Sequence, residues 1–503
     1  MTTDGASVQV ADRYTFQSLI RRVAGHSDNQ DSALADRFHE CRYPQIPQYL
    51  EPIQAFLKAN GVAARDCVTL EVNNSVRGAL TVLALLDAGF SFTATPVPGQ
   101  GARAVGSELK PPSFSRFVLT VSTQKPTAAL ADLSSSSFLD IRPNDTFDPA
   151  AAAPAEDEPR LFFRTSGSMG AAKLAMYRYP AFYRNALSAL AVREFEPSHR
   201  IALPTPIFHV YGLGAGFLAG LAGGASIDFQ ERSNILRFFE READFAPNVA
   251  YVTPSFCEML IRGRRSPRPY RFMITSGDRI SASTFKRSED LHGPMINQYG
   301  ATELGVVAAT RLDTPYELRC RTVGRPLDGV EFRLVPSGAG TSGQGELQIR
   351  HSCGFEGYVD LDGHPLVPPQ SFDGEWYRTG DLAEEGPEGT LMVLGRCDLS
   401  VNRQGVLLPL AEVESRMREL AGVQEVAVAP GPENLRGRSL VAFCVMADGH
   451  ETTGSALRAS YAVGAPAFSV PEVVHIVSAL PKLASGKIDR QSLAKLANEV
   501  ELR

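Results

Sequence analysis

Between Val68 and Ala94 the spacing of apolar residues changes period twice. Val68 to Val72 alternates apolar and polar residues, the period of a strand with one face in a core. Ser75 to Ala88 carries its apolar residues at helical spacing and is closed by Gly89, and Phe90 to Ala94 is strand-like again. This succession predicts a βαβ unit and an α/β sheet. Further on, Arg142 to Arg160 is rich in Ala, Pro, Asp and Glu and reads as an exposed loop. Leu161-Phe162-Phe163 is a short strand running into a Gly/Ser-rich loop, and Pro180 opens a helix that reaches about Arg193. Glu375 to Leu408, dense in Gly, Asp and Arg, reads as a junction. Beyond it, Ala411 to Leu420 and Ala456 to Tyr461 are helical, while Val423 to Val428 and Leu440 to Met446 are strand-like. The stretch 399–503 is long enough for a small α+β domain. There is no internal repeat, and Ser134 to Ser137 is a loop.

One run suggests a membrane at first sight. Val210 to Ile227 holds no charge and places Gly212, Gly216, Gly220 and Gly224 four residues apart, a face that permits close helix packing. Its glycines make it weakly hydrophobic and it barely reaches spanning length. The expectation is a buried, closely packed helix, with no membrane insertion.

At 503 residues the chain exceeds what one core supports, so two or more domains are expected. A net charge of −6 gives no support for nucleic-acid binding, which favours a basic face. The seven cysteines are scattered and never form a C-x-x-C pair, the pattern of free thiols in a reducing cytoplasm. The histidines show no metal-binding spacing. Met1 to Ala11 is polar without an apolar core, so no secretion signal is expected and the protein is placed in the cytoplasm.

The candidate chemistry lies in stretches of fixed order. Thr165-Ser166-Gly167-Ser168-Met169-Gly170-Ala171-Ala172-Lys173 follows a strand. Glycines let successive N–H groups face one anion, the hydroxyls of Thr165, Ser166 and Ser168 add donors, and Lys173 adds charge. That composition suits a phosphate cradle, and equally a flexible turn. It is not a Walker A loop, because Lys173 does not follow Gly and is followed by Leu174. Asn297-Gln298-Tyr299-Gly300-Ala301-Thr302-Glu303 brings together an aromatic ring for stacking on a base and a carboxylate for Mg²⁺; alone it could be a turn between core elements. In Arg378-Thr379-Gly380-Asp381 the carboxylate can accept from two ribose hydroxyls, with Arg396 in reach of the same nucleotide; alone this would be a surface ion pair. Lys487 closes the series in Leu480-Pro481-Lys482-Leu483-Ala484-Ser485-Gly486-Lys487-Ile488-Asp489-Arg490.

Together these stretches, with Tyr377 to Asp381 and Gly395 to Asp398, resemble the adenylate-forming superfamily. Its members include acyl-CoA synthetases, aryl-acid ligases, peptide-synthetase adenylation domains and luciferases. The resemblance runs from about Tyr14 to Leu493. It implies a large N-terminal α/β domain of several subdomains, 1–397, and a small mobile C-terminal α+β domain, 398–503, hinged at Asp398. It also implies roles. Thr165, Ser166, Gly167, Ser168, Gly170 and Lys173 match the phosphate loop. Tyr299 matches the adenine-stacking residue, flanked by Gln298 and Gly300. Thr302 and Glu303 match the pair near the α-phosphate and Mg²⁺, with Glu303 the metal ligand. Asp381 matches the ribose ligand and Arg396 the second nucleotide contact. Lys487 matches the lysine that bridges the acyl carboxylate and the α-phosphate. Gly405 matches a glycine beside the thiol tunnel of thioester-forming members.

Pro206-Ile207-Phe208-His209-Val210-Tyr211-Gly212 resembles the family's acyl-pocket segment, with His209 as gate or wall; a histidine here could instead be a packed core residue. Thr275-Ser276-Gly277-Asp278 resembles the Gly-acidic motif of benzoate-type ligases, which adds Ser276, Gly277 and Asp278 to the nucleotide contacts and favours an aromatic or cyclic acid. Tyr251 to Ser255 is expected to line the pocket. Three positions depart from the family pattern: Met169 replaces a hydroxyl residue, Ala172 a proline, and Asn402 a lysine in the loop facing the acceptor. The implied protein is an ATP- and Mg²⁺-dependent ligase, of the kind used in secondary metabolism, that passes an acyl adenylate to the thiol of CoA or of a carrier-protein pantetheine. An amide synthetase using an amine acceptor is the alternative, and a nucleotide-binding protein without turnover is the alternative of another class.

Overall fold

The computed structural model describes residues 15–98, 109–123, 138–151, 158–165, 173–230, 234–336, 343–366, 371–403, 406–434, 437–482 and 488–499. It divides into two compact units. The first takes the described residues of Met1–Gly101, Leu109–Val330 and His351–Pro369; the second takes those of Glu331–Arg350 and Gln370–Arg503.

The first unit contains the expected βαβ unit. Strand Cys67–Glu71, helix Val76–Ala88 and strand Ser91–Thr95 succeed one another, and the strands pair in parallel from Cys67↔Ser91 to Glu71↔Thr95. Ser75 caps the helix by accepting from Gly78 N–H, and Gly89, at φ 72°, ends it in the left-handed conformation. Val76 to Leu86 of this helix is buried. Each fully buried Val or Leu there contributes roughly 1.5–3 kcal/mol, which explains why the helix is apolar nearly all round. These strands belong to an eight-stranded sheet that also holds Ser115–Val121, Arg160–Arg164 and Leu174–Arg178. A nine-stranded sheet carries Arg200–Leu203, Ser226–Phe229, Val249–Val252, Phe272–Thr275 and Met295–Ala301.

Part of the loop expected over Arg142 to Arg160 is strand. Leu139–Pro143 pairs antiparallel with Ser115–Val121, and Arg160 already begins the strand Arg160–Arg164. The segment Val210 to Ile227 is buried as expected but is not one helix: π-helix Tyr211–Leu218 and α-helix Ala219–Ala222 lead to the strand Ser226–Phe229. Its glycines serve close approach. A Cβ on Gly216 would lie 2.6 Å from Leu203 Cδ1 and one on Gly220 2.8 Å from Ile201 Cδ1. No helix among the described residues is long and apolar enough to cross a membrane.

The second unit holds two five-stranded sheets. One includes Gln344–His351, Trp376–Glu385 and Leu391–Arg396; the other includes Ser400–Arg403, Val423–Asn434, Gly437–Met446 and Val473–Ile476. The expected helices are Leu410–Arg418 and Gly454–Ala462. Asp398 lies in the one-turn helix Cys397–Leu399, where the chain passes from the first of these sheets to the second. The unit boundary and the boundary read from sequence at 397/398 therefore fall at different places, the sheet before Asp398 being grouped with the C-terminal one.

Candidate active site

In the nine-stranded sheet, Arg200–Leu203, Val249–Val252, Phe272–Thr275 and the start of Met295–Ala301 run parallel as neighbours. Their carboxyl ends share one edge, where open α/β sheets bind ligands. His209 and Ser276 to Asp278 follow the strands Arg200–Leu203 and Phe272–Thr275 at that edge, and from Gln298 the strand Met295–Ala301 runs on past its parallel neighbour toward Thr302 and Glu303.

The segment before the π-helix is held there by Asn74. Its Nδ2 donates to Leu203 O (2.9 Å), Thr205 O (3.0 Å) and Gln230 O (3.3 Å), while its Oδ1 accepts from Ile207 N–H at 2.9 Å. One amide thus ties the βαβ turn to the segment that ends in His209. His209 is exposed, its ring centre 4.6 Å from that of Phe208, so it is not a packed core histidine. Tyr211 is half-buried and its hydroxyl lies 3.3 Å from Val252 O and 3.2 Å from Ile274 O. Burial holds this phenol well above its ordinary pKa. With its hydroxyl tied to backbone, Tyr211 offers a ligand its ring face. Tyr251 is fully buried and its hydroxyl donates to Ala215 O, so it supports Tyr211 from behind. Ser276 is buried, Gly277 takes φ 93°, and Asp278 is exposed with Oδ1 accepting from Arg279 N–H.

At Gln298 the strand changes partner. It pairs in parallel with Phe272–Thr275 up to Asn297, then antiparallel with Gly305–Ala309, with an irregularity between Tyr299 and Gly300. Gly300 is required by close approach: a Cβ there would lie 2.3 Å from Gly305 O. Gln298 is buried and its Oε1 has no hydrogen-bond partner among the described residues. Tyr299 is half-buried. Thr302 and Glu303 follow in a turn. Tyr177 OH donates to Thr302 O at 2.8 Å and Tyr358 OH to Glu303 Oε1 at 2.6 Å.

Thr165 N–H donates to Lys173 O at 3.2 Å and closes the base of the phosphate-loop candidate. Its Oγ1 is buried without a partner among the described residues. Ser166, Gly167, Ser168 and Gly170 lie outside the described residues. Lys173 Nζ stands 3.7 Å from the centre of the Tyr358 ring. The first unit thus brings Lys173 and Glu303 to the two sides of one tyrosine. Thr165 Oγ1 can donate to a phosphate, Gln298 Oε1 can accept from an amine, and the Glu303 carboxylate is a hard oxygen ligand of the kind Mg²⁺ takes, so the residues fit a metal-bound nucleotide.

In the second unit Asp381 and Arg396 face each other on the antiparallel strands Trp376–Glu385 and Leu391–Arg396. Arg396 Nη1 lies 3.3 Å from Asp381 Oδ1 and donates to Thr379 O at 2.7 Å. Gly380, at φ 69°, makes this possible, since a Cβ there would lie 2.6 Å from Arg396 Nη2. Lys487 and Gly405 lie outside the described residues, and so do the side chains of Asp398 and Asn402.

Sequence reasoning missed Asn74 and Tyr358. Asn74 stands between a strand and a helix, where Asn reads as a turn residue. Tyr358 sits in Gly354-Phe355-Glu356-Gly357-Tyr358, a glycine-aromatic cluster whose signal was visible but had no partner in view.

The AMP-binding enzyme family matches residues 21–359, and its C-terminal domain matches residues 412–487. The chain therefore belongs to the AMP-binding enzymes, the adenylate-forming family that the motifs resemble. Among relatives, it is 26% identical to pyochelin synthase PchD of Pseudomonas aeruginosa over 96% of this chain and 91% of that protein. It is 26% identical to the indoleacetate–CoA ligase of Aromatoleum aromaticum over 95% of this chain and 98% of that protein. Among solved structures, the ATP-bound MatB of Rhodopseudomonas palustris shares the fold, with a TM-score of 0.76 at 20% identity over 96% of this chain and 99% of that one.

Proposed function

We propose that this protein is an ATP- and Mg²⁺-dependent ligase that activates a small aromatic or cyclic carboxylic acid as an acyl adenylate and passes the acyl group to a thiol of CoA or of a carrier-protein pantetheine. The observation that carries the reading is the shared strand-end edge, where an exposed histidine and an aromatic wall adjoin the segment Gln298 to Glu303 in a chain of the AMP-binding family. The relatives that bear CoA-ligase names, among them one acting on indoleacetate, support both the thiol and the aromatic acid.

In the first step a carboxylate oxygen attacks the α-phosphorus of ATP, the bond from that phosphorus to the bridging oxygen breaks, and pyrophosphate leaves. Both reactants are anionic, so cationic groups must lie where charge gathers. Lys173 serves the phosphates, Arg396 the nucleotide and Lys487 the acyl carboxylate and α-phosphate. When bound at Glu303, Mg²⁺ supplies charge neutralisation on the phosphates. Tyr299 stacks on the adenine, and Asp381, already oriented by Arg396, accepts from the ribose hydroxyls. In the second step the thiol sulfur attacks the acyl carbon, its proton is released, the carbon–oxygen bond to the phosphate breaks and AMP leaves. The Tyr211 ring presents a flat wall with no free hydroxyl, which suits a planar acid better than a flexible chain. Asp398 is the hinge about which the C-terminal sheet reorients between steps.

The test is a mass-spectrometric assay of the purified chain with ATP, Mg²⁺ and a pool of aryl, cyclic and fatty acids, with CoA and amino acids present together. An aryl- or cyclic acyl-CoA product supports the reading. Acid-dependent AMP release that needs a carrier protein for product supports the pantetheine branch. An amide formed equally well without CoA would replace the thiol by an amine. Absence of any acid-dependent AMP or pyrophosphate would overturn the proposal.

A further inference from the structure

The turn at Thr302 and Glu303 is held at three points. Tyr177 OH fixes Thr302 O, Phe355 N–H donates to Glu303 O at 2.8 Å, and Tyr358 OH reaches the Glu303 carboxylate at 2.6 Å. The first two act on backbone; the third acts on the side chain. Tyr358 is itself fixed. It lies on the strand Gly357–Val359, opposite Ala175 of the strand that begins directly after Lys173, and it is 3% exposed. The Lys173 ammonium stands 3.7 Å from its ring centre.

These two contacts reinforce each other. A cation on the ring face draws electron density from the phenol and strengthens its O–H as a donor. A carboxylate accepting from that O–H returns density to the ring and strengthens its hold on the cation. We propose that Tyr358 is a positioning residue that couples the lysine of the phosphate loop to the carboxylate of Glu303, holding Oε1 so that the other carboxylate oxygen is presented to the metal of a metal–nucleotide complex. The inference rests on the proposed function, because it assumes that nucleotide and metal bind here.

Tyr358→Phe separates the two contacts: it removes the hydroxyl and keeps the ring under Lys173. Tyr358→Leu removes both. ATP binding to the full-length protein is measured by calorimetry, once with Mg²⁺ and once with EDTA, together with a thermal melt of each variant. The Phe variant should bind ATP about tenfold more weakly with Mg²⁺, the scale of one hydrogen bond to a charged group, and lose far less in EDTA, where only the weakened hold on Lys173 is felt. The Leu variant should be weaker under both conditions. Equal losses with and without Mg²⁺ in the Phe variant would mark Tyr358 as merely structural and overturn the inference. An unshifted Phe variant would overturn it too, with the proposed function left standing. A wild-type chain that binds no ATP would sink the proposed function and this inference together.

Discussion

Replacing Asn74 by alanine should loosen the wall of the proposed acid pocket without touching the proposed nucleotide contacts. The Asn74 side chain makes four hydrogen bonds, three to the segment leading to His209 and one to Gln230 O after the strand Ser226–Phe229. Ile207 is 0% exposed, so losing Oδ1 leaves its N–H buried without that acceptor, at a cost of about 1–3 kcal/mol. Losing Nδ2 removes a donor from three carbonyls. Leu203 O keeps a bond from Gln230 N–H at 3.2 Å, so this part costs about 1 kcal/mol net. The sum is about 2–4 kcal/mol, to be read as a shift of the urea unfolding midpoint. The functional consequence is a mispositioned Phe208–His209 segment. In acid-dependent pyrophosphate exchange, the KM for the acid should rise about tenfold or more while the KM for ATP stays within about twofold. Asn74→Asp should do no better than alanine, because it restores the acceptor for Ile207 but sets a carboxylate against three carbonyl oxygens. A stability change below about 0.5 kcal/mol with an unchanged acid KM would refute the reasoning.

Lys487→Ala should slow pyrophosphate exchange by about 10²–10³, the scale of losing one preorganised charge donor, and wild-type exchange would remove Lys487 from the first step. Asp398→Pro should impair thioester formation more than adenylation; equal losses in single-turnover assays of the two steps would count against a hinge. Gly212→Ala would place a Cβ 2.0 Å from Pro206 O, so it should displace the His209 segment and depress acid-dependent turnover, with ATP binding retained. Stability should also fall with acid. His292, near Arg264 and Glu242, and His351, near Arg184, are both pushed down to about 4 by burial. A free imidazole titrates near 6.5, so between these values the unfolded chain binds more protons. Their stabilisation is complete above about pH 6.5 and shrinks toward pH 4, by at most about 1.4 kcal/mol per pH unit for each. Urea midpoints that stay flat over this window, or that fall as steeply in a His292→Asn, His351→Asn variant, would contradict the assignment.

Much of the fold was legible because its signals are local. The period change from Val68 to Ala94, the Ser75 cap and the Gly89 stop define a βαβ unit with no knowledge of the rest of the chain. The helix after Pro180 and the alternation of strand and helix beyond Ala411 were readable for the same reason. Leu139–Pro143 escaped although Leu139-Asp140-Ile141-Arg142 alternates apolar and polar residues, because the run is only five residues long and its ladder partner, Ser115–Val121, lies well before it. The π-helix Tyr211–Leu218 escaped because its glycines encode space for Pro206, Phe182 and Leu203, not a period.

The candidate site divides in the same way. Its residue types and their order were fixed in the primary structure, since phosphate, ribose and metal each demand donors, carboxylates and flexible backbone close together in the chain. That was enough to place the chain among the AMP-binding enzymes. Tertiary structure alone decided how those groups are held. Asp381 and Arg396 become cross-strand neighbours only when a hairpin forms, and the guanidinium closes on the carboxylate only because Gly380 lacks a side chain. Lys173 and Glu303 share Tyr358 only because a strand from far along the chain pairs beside Lys173. Asn74 grips the His209 segment across more than a hundred residues. Local chemistry is written in consecutive residues, whereas orientation depends on contacts between distant ones, and those exist only once the sheets have assembled.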